Sequence, residues 1–170
     1  MAHLAQLGRE EAEEYGGGTG QPVGSHAVML GIYFALLAVG TLLARSAGRE
    51  LPDEVSVKDL VTMALGTHKI SRAITKESVT SPLRAPFTEH AGQAGPAEVM
   101  DEPRDEEGAM RHAVGELLTC PFCLDVWIVS AFGLGLVVAP RLTRLVAGSF
   151  SALAGADFLQ LAYARAQQEA

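Results

Sequence analysis

The 170-residue chain is 48% hydrophobic, carries a formal net charge of −7 and holds two cysteines. Its length bounds it to one domain, its shortage of Lys and Arg excludes nucleic acid as a partner, and two cysteines cannot define a disulfide scaffold. The charge is clustered and leaves long stretches almost free of it, the pattern of a small integral membrane protein.

Residues 1–25 form an acidic, glycine-rich tail, with Glu10, Glu11, Glu13 and Glu14 followed by Gly16, Gly17, Gly18 and Gly20. Such a composition predicts a flexible segment, and it lacks the basic start of a secretory signal. The remainder, 26–170, reads as one membrane helical domain. Residues 27–44 are free of charge and end at Arg45 and Arg49, which predicts a first membrane span. Ala27, Gly31 and Ala35 recur every fourth residue along it, a small-residue face for helix contact.

Pro52 and Asp53 mark a turn, and Ser56 is placed to cap a helix over about 57–76. Its apolar stretch is too short to span, and His68, Lys69, Arg72 and Lys76 follow. The pattern predicts an amphipathic helix at the membrane surface or against the other helices. Residues 78–87 contain two prolines and are expected to be extended. Residues 88–108 are rich in Gly, Pro and acid, with seven acids from Glu89 to Glu107 against Arg104 alone, and read as an acidic surface loop. Helical pattern returns near residue 109.

Pro121 suits the first turn of the next helix, and from there to Ala139 runs an apolar segment of about 19 residues, close to the ~20 that a spanning helix needs. Pro140 and Arg141 make a turn before a last helix over about 142–164, in which Gly148, Ala152 and Ala156 repeat the four-residue spacing. The fold class expected is therefore all-α: a small membrane bundle of three spanning helices and one amphipathic surface helix. Arg45, Arg49 and Lys58 follow the first span, which by the positive-inside rule places the central region in the cytoplasm and the amino terminus outside. The localisation expected is a multi-pass cell-membrane protein.

Cys120 and Cys123 sit in a Cys-Pro-x-Cys pattern at the mouth of the second span. A thiolate at a helix N-terminus is stabilised and becomes the better nucleophile. Three readings stay open. One is a redox pair with Cys120 attacking and Cys123 resolving. Another is a metal site completed by His112 or Glu116, although structural zinc takes four ligands and there is no second Cys pair. The third is a helix cap with both sulfurs packed as small apolar groups. Asp157 lies deep in an apolar helix, where an acid needs a polar partner. Arg72 and Arg84 are the first candidates and Lys69 another. Arg84 itself could hydrogen-bond loop carbonyls or anchor a phosphate. Trp127 stands where an interfacial anchor would.

Three stretches, Ser-Pro-Leu-Arg-Ala-Pro-Phe at 81–87, Gly-Glu-Leu-Leu-Thr-Cys-Pro-Phe-Cys-Leu-Asp-Val-Trp at 115–127 and Ala-Asp-Phe-Leu at 156–159, together resemble the bacterial membrane-protein family catalogued as domain of unknown function 1360. The resemblance covers about 59–163. It implies a multi-helix membrane protein in a family that includes sporulation-associated members, and it points to Arg84, Phe87, Glu116, Cys120, Cys123, Trp127 and Asp157 without assigning a reaction. The first functional expectation is a protein without catalysis or cofactor, acting structurally or through a membrane-protein partner or self-association within the lipid bilayer. The alternative is a membrane thiol–disulfide oxidoreductase, or a metal-binding protein, using Cys120 and Cys123.

Overall fold

The computed structural model describes residues 23–104 and 108–169. The expected acidic tail lies outside the described residues as far as residue 22, and 23–25 already belong to the first helix.

Four long helices build the bundle: α1 (Val23–Ser46), α2 (Val57–Thr75), α5 (Pro121–Val138) and α6 (Pro140–Gln168). Between α2 and α5 lie a 3-10 turn (Ser78–Thr80), the short α3 (Ser81–Arg84), strands β1 (Thr88–Gly95) and β2 (Glu98–Pro103), and α4 (Ala109–Thr119). Helices α1, α5 and α6 are each long and apolar enough to cross a membrane, and the chain is a small all-α fold with one hairpin.

Ser56 caps α2 as its sequence position predicts, its hydroxyl oxygen accepting the Asp59 N–H at 3.1 Å. That satisfies one of the orphan donors at the helix start. The helix lies against α5 and α6, the second of the two placements its pattern predicts. A core cluster of Met63, Phe132, Leu136 and Ala147, flanked by Ile70, Ile128 and Val146, joins the three. Gly66 makes the approach of α2 to α6 possible: a Cβ there would sit 3.0 Å from the Ala147 carbonyl oxygen.

The direction of each helix follows from its partners. Along α1, His26 meets Glu116, Tyr33 meets Ser130 and Gly40 meets Leu134, so α1 runs parallel to α5. Along α2, Asp59 meets Arg144 and Lys69 meets Asp157, so α2 runs parallel to α6 and opposite to α1 and α5. Helix α2 therefore returns the chain from one end of the bundle to the other, roughly 28 Å at the α-helical rise. The connections accordingly fall at the two ends of the bundle. Residues 47–56 sit at one end with the Ala139–Pro140 turn. The hairpin, α3 and α4 sit at the other, with the start of α1.

Three local expectations are corrected. Residues 78–87 are not extended. Pro82 occupies the first turn of α3, where a proline costs no hydrogen bond. Residues 88–103 are not a loop but an antiparallel hairpin, pairing Thr88 with Pro103 through Gly95 with Glu98. Its two-residue turn, Pro96-Ala97, puts Ala97 in the left-handed region at φ 62°. Its register shifts next to Gly92, whose φ of 151° a side chain would resist. Residues 105–107 of the acidic segment lie outside the described residues. The small-residue faces also point away from the bundle: Gly31 and Gly148 have open space at their Cβ positions, and Ala27, Ala35, Ala152 and Ala156 are exposed. Helix α6 instead buries Thr143, Ala147 and Ala154.

Candidate functional site

The site sits where α1, α4 and α5 meet. Cys120 lies between α4 and α5, closing the first and capping the second, and its Sγ accepts the Cys123 N–H at 3.2 Å. Cys120 and Cys123 are joined by a disulfide, with Cα atoms 5.3 Å apart. One helical turn separates them, which brings the two Cβ vectors within bridging range. Cys123 is exposed and Cys120 half-buried.

Glu116, four residues before Cys120, faces the same way on α4. Its carboxylate pairs with His26 Nε2 at 2.5 Å and approaches His112 Nε2 at 3.6 Å. His26 stands in the first turn of α1, 90 residues away in sequence. Gly115 allows α4 this position, because a Cβ there would lie 2.6 Å from the Phe87 carbonyl oxygen and 3.0 Å from Pro103. His112 Nδ1 also lies 3.3 Å from the Arg104 carbonyl.

A cavity of about 620 Å³ opens beside the disulfide. On the α1 side His26, Met29, Leu30 and Tyr33 form its wall. On the other side Glu116, Leu117, Val126 and Trp127 do, with both cysteines. The Tyr33 hydroxyl shares a 2.8 Å hydrogen bond with the Ser130 hydroxyl, and its ring meets Trp127 edge-on at 5.2 Å. The lining is predominantly apolar, with a histidine–carboxylate pair at one end.

The remaining expected residues lie apart from this cavity and hold the bundle together. Asp157 pairs with Lys69 at 2.7 Å, and Lys69 also contacts Glu77. The expectation that Arg72 or Arg84 would hold Asp157 is thus corrected in favour of the third candidate. Both arginines are engaged by the hairpin. Arg72 grips Glu98 through Nε at 3.0 Å and Nη2 at 2.6 Å. Arg84, with no exposed side-chain surface, meets Asp101 at 2.8 Å. It also donates to the carbonyls of Ile74 (2.7 Å) and Glu77 (3.1 Å) and to the Thr80 hydroxyl (2.8 Å). That is a carbonyl-binding role, and it leaves no open face for a phosphate. His68 stacks on Phe158.

Among the described residues, no three His, Cys, Asp or Glu side chains are gathered to hold a metal ion. The trio of Cys120, Cys123 and His112 is therefore not assembled as a ligand set. Sequence reading missed two residues. His26 could have been found only through the fold, since nothing in its neighbourhood marks a partner in α4. Asp125 had a local signal, an acid two residues past Cys123 inside an apolar run. Its Oδ1 is buried and takes no hydrogen bond among the described residues.

A family described as "Protein of unknown function (DUF1360)" matches residues 62–163. No curated protein and no solved structure matches the chain.

Proposed function

The chain belongs to the DUF1360 family, and, since that description assigns no reaction, we propose one from the site itself: membrane thiol–disulfide exchange at Cys120–Cys123. The observation that carries it is the joint placement of an exposed Cys123 and a capping Cys120 on one disulfide, opening into a cavity between helices apolar enough to cross a membrane. A purely structural cap has no need of an exposed second sulfur.

The geometry divides the labour. An incoming thiolate attacks the exposed Cys123 sulfur, forming a mixed disulfide, and the Cys120–Cys123 bond breaks. Cys120 leaves as a thiolate, held by the Cys123 N–H and the positive end of α5. A second thiol of the incoming dithiol then attacks its own mixed disulfide. It releases Cys123 as a thiol and leaves the partner oxidised. These roles are the reverse of those read from the sequence, because Cys123 is the more accessible of the two.

Orientation belongs to the same proposal. Disulfides persist outside the cytoplasm, which places the hairpin end of the bundle on the outer side. The opposite end gathers Arg45, Arg49, Lys58, Arg141 and Arg144 on or beside two short connections, whereas Lys76, Arg84, Arg104 and Arg111 are spread through the longer hairpin segment, a bias in density that supports a cytoplasmic face at the opposite end. In this orientation Arg141 and Arg144 also lie on the cytoplasmic side.

The test is trapping. Cys120→Ser should accumulate a stable mixed disulfide with oxidised glutathione at Cys123. In Cys123→Ser, Cys120 should alkylate with a midpoint below the ~8.5 of a free thiol. Failure of both, with the double Ser variant unimpaired except in stability, returns the pair to the capping role. The second reading, association with a membrane partner, is favoured by the outward small-residue faces of α1 and α6.

A further inference from the structure

Resting on the exchange reading, we propose that the cavity between α1 and α5 is the site of a lipid-soluble quinone that re-oxidises the cysteine pair. After an exchange cycle the chain is left as a dithiol, and returning it to the disulfide removes two electrons and two protons. The acceptor must reach Cys120 and Cys123 where they line the cavity. That cavity lies between two helices apolar enough to cross a bilayer, so its natural route of entry is lateral, from the lipid.

Three features fit a quinone rather than an acyl chain. The volume of about 620 Å³ is within the range of sites for ring-sized ligands. Trp127 and Tyr33, edge-to-face at 5.2 Å, offer aromatic surface to a planar ring. The hydrogen-bonded His26–Glu116 pair puts a donor and a proton relay at the polar end, where a quinone carbonyl needs one and an alkyl chain has no use for it. A polar pair facing an acyl chain would lose solvation without recompense.

The chemistry balances. The two S–H bonds of Cys120 and Cys123 break and one S–S bond forms. Two electrons and two protons pass to the quinone, whose carbonyls both become hydroxyls. His26 hydrogen-bonds the carbonyl oxygen as charge develops there, and Glu116 holds the imidazole in place and shares its proton.

Trp127 is the chain's only tryptophan, so the site reports on itself. The full-length protein in phosphatidylcholine nanodiscs is titrated with a short-tailed ubiquinone analogue, and with an alkyl phospholipid of similar tail as control. Saturable quenching of Trp127 by the quinone alone is expected. His26→Ala should raise the half-saturation concentration about tenfold, the loss of one hydrogen bond. Reduced protein mixed anaerobically with the analogue should lose two thiols for each quinol formed. Absence of saturable quenching, equal quenching by the alkyl control, or quenching without thiol loss overturns the quinone site. Glutathione exchange measured on the same sample separates the two proposals. If it persists while the quinone results fail, only this inference falls. If it fails as well, the exchange reading falls with it.

Discussion

Arg84→Met tests whether the hairpin is locked onto the bundle by one buried guanidinium. Arg84 has no exposed side-chain surface, and its Asp101 partner is only 6% exposed. Removing the cation leaves a carboxylate whose other contact is His90 Nδ1, at 3.3 Å and largely solvent-exposed. It also takes donors from the carbonyls of Ile74 and Glu77. Breaking a buried ion pair from one side costs about 3–5 kcal/mol, and the two carbonyls hold the value in that range even if water reaches one of them. The measurement is unfolding in mixed micelles followed by helical circular dichroism. Arg165→Ala, whose side chain is 84% exposed, serves as the surface control. Arg84→Lys should recover little, because a point charge cannot reach Asp101 and the Ile74 carbonyl together. Arg84→Met combined with Asp101→Leu should be more stable than Arg84→Met alone, since no charge is then left buried. A loss in Arg84→Met below about 1 kcal/mol, the size of an ordinary point substitution, would refute the lock.

The ion pairs, the tight glycine and the hairpin tip each give a further outcome. Asp157→Asn should cost about 1 kcal/mol, discounted from the buried-pair value because the Asp157 side chain is 48% exposed; the same micelle assay should show a loss greater than that of Arg165→Ala. Gly115→Ala should destabilise by about 1–3 kcal/mol, the range for overpacking, since its Cβ meets the Phe87 carbonyl; it should also shift α4 enough to weaken the His26–Glu116 pair, read from the His26 ring resonances. A cysteine introduced at Gly95, at the hairpin tip, should be labelled by an impermeant maleimide on intact cells, and protection there would reverse the proposed orientation.

The apolar spans are legible in the sequence because length and lack of charge suffice to mark them, and the helix starts at Ser56 and Pro121 because each signal acts within one turn. The hairpin is not. Gly92 and Gly95 interrupt any period-two pattern of apolar residues along β1, so that strand carries no signal of its own. On β2 only Val99 and Asp101 are buried, and one of the two is an acid. The composition of loops and the composition of this hairpin are the same, and what distinguishes them is tertiary: Arg72 on Glu98 and Arg84 on Asp101. The candidate site is half legible for a related reason. Cys120, Cys123 and Glu116 lie within eight residues, so their cluster is local. His26 joins them only because α1 runs parallel to α5, and no spacing in the sequence encodes that.

Helix α2 shows why hydropathy alone undercounts the elements that link the two ends of the bundle. Beside Met63 it buries Asp59, Thr67, Ser71 and Thr75 and exposes Leu60, Val61 and Leu65, a larger polar share on the packed side than a helix in water carries. Averaged along its length, polar and apolar residues balance and the helix reads as a surface element. Taken by face, its polar atoms turn toward other helices. Ser71 and Thr75 hydroxyls bond back to the His68 and Ser71 carbonyls, and Asp59 is held by Arg144 through both carboxylate oxygens at 2.8 and 3.0 Å. Those bonds satisfy polar groups that α2 buries against its neighbours. Once α2 carries the chain back, α1 and α5 must start at the same end, and His26 is brought to Glu116 and the cysteine pair. The composition of the site is therefore a consequence of α2, a helix that contributes no residue to it.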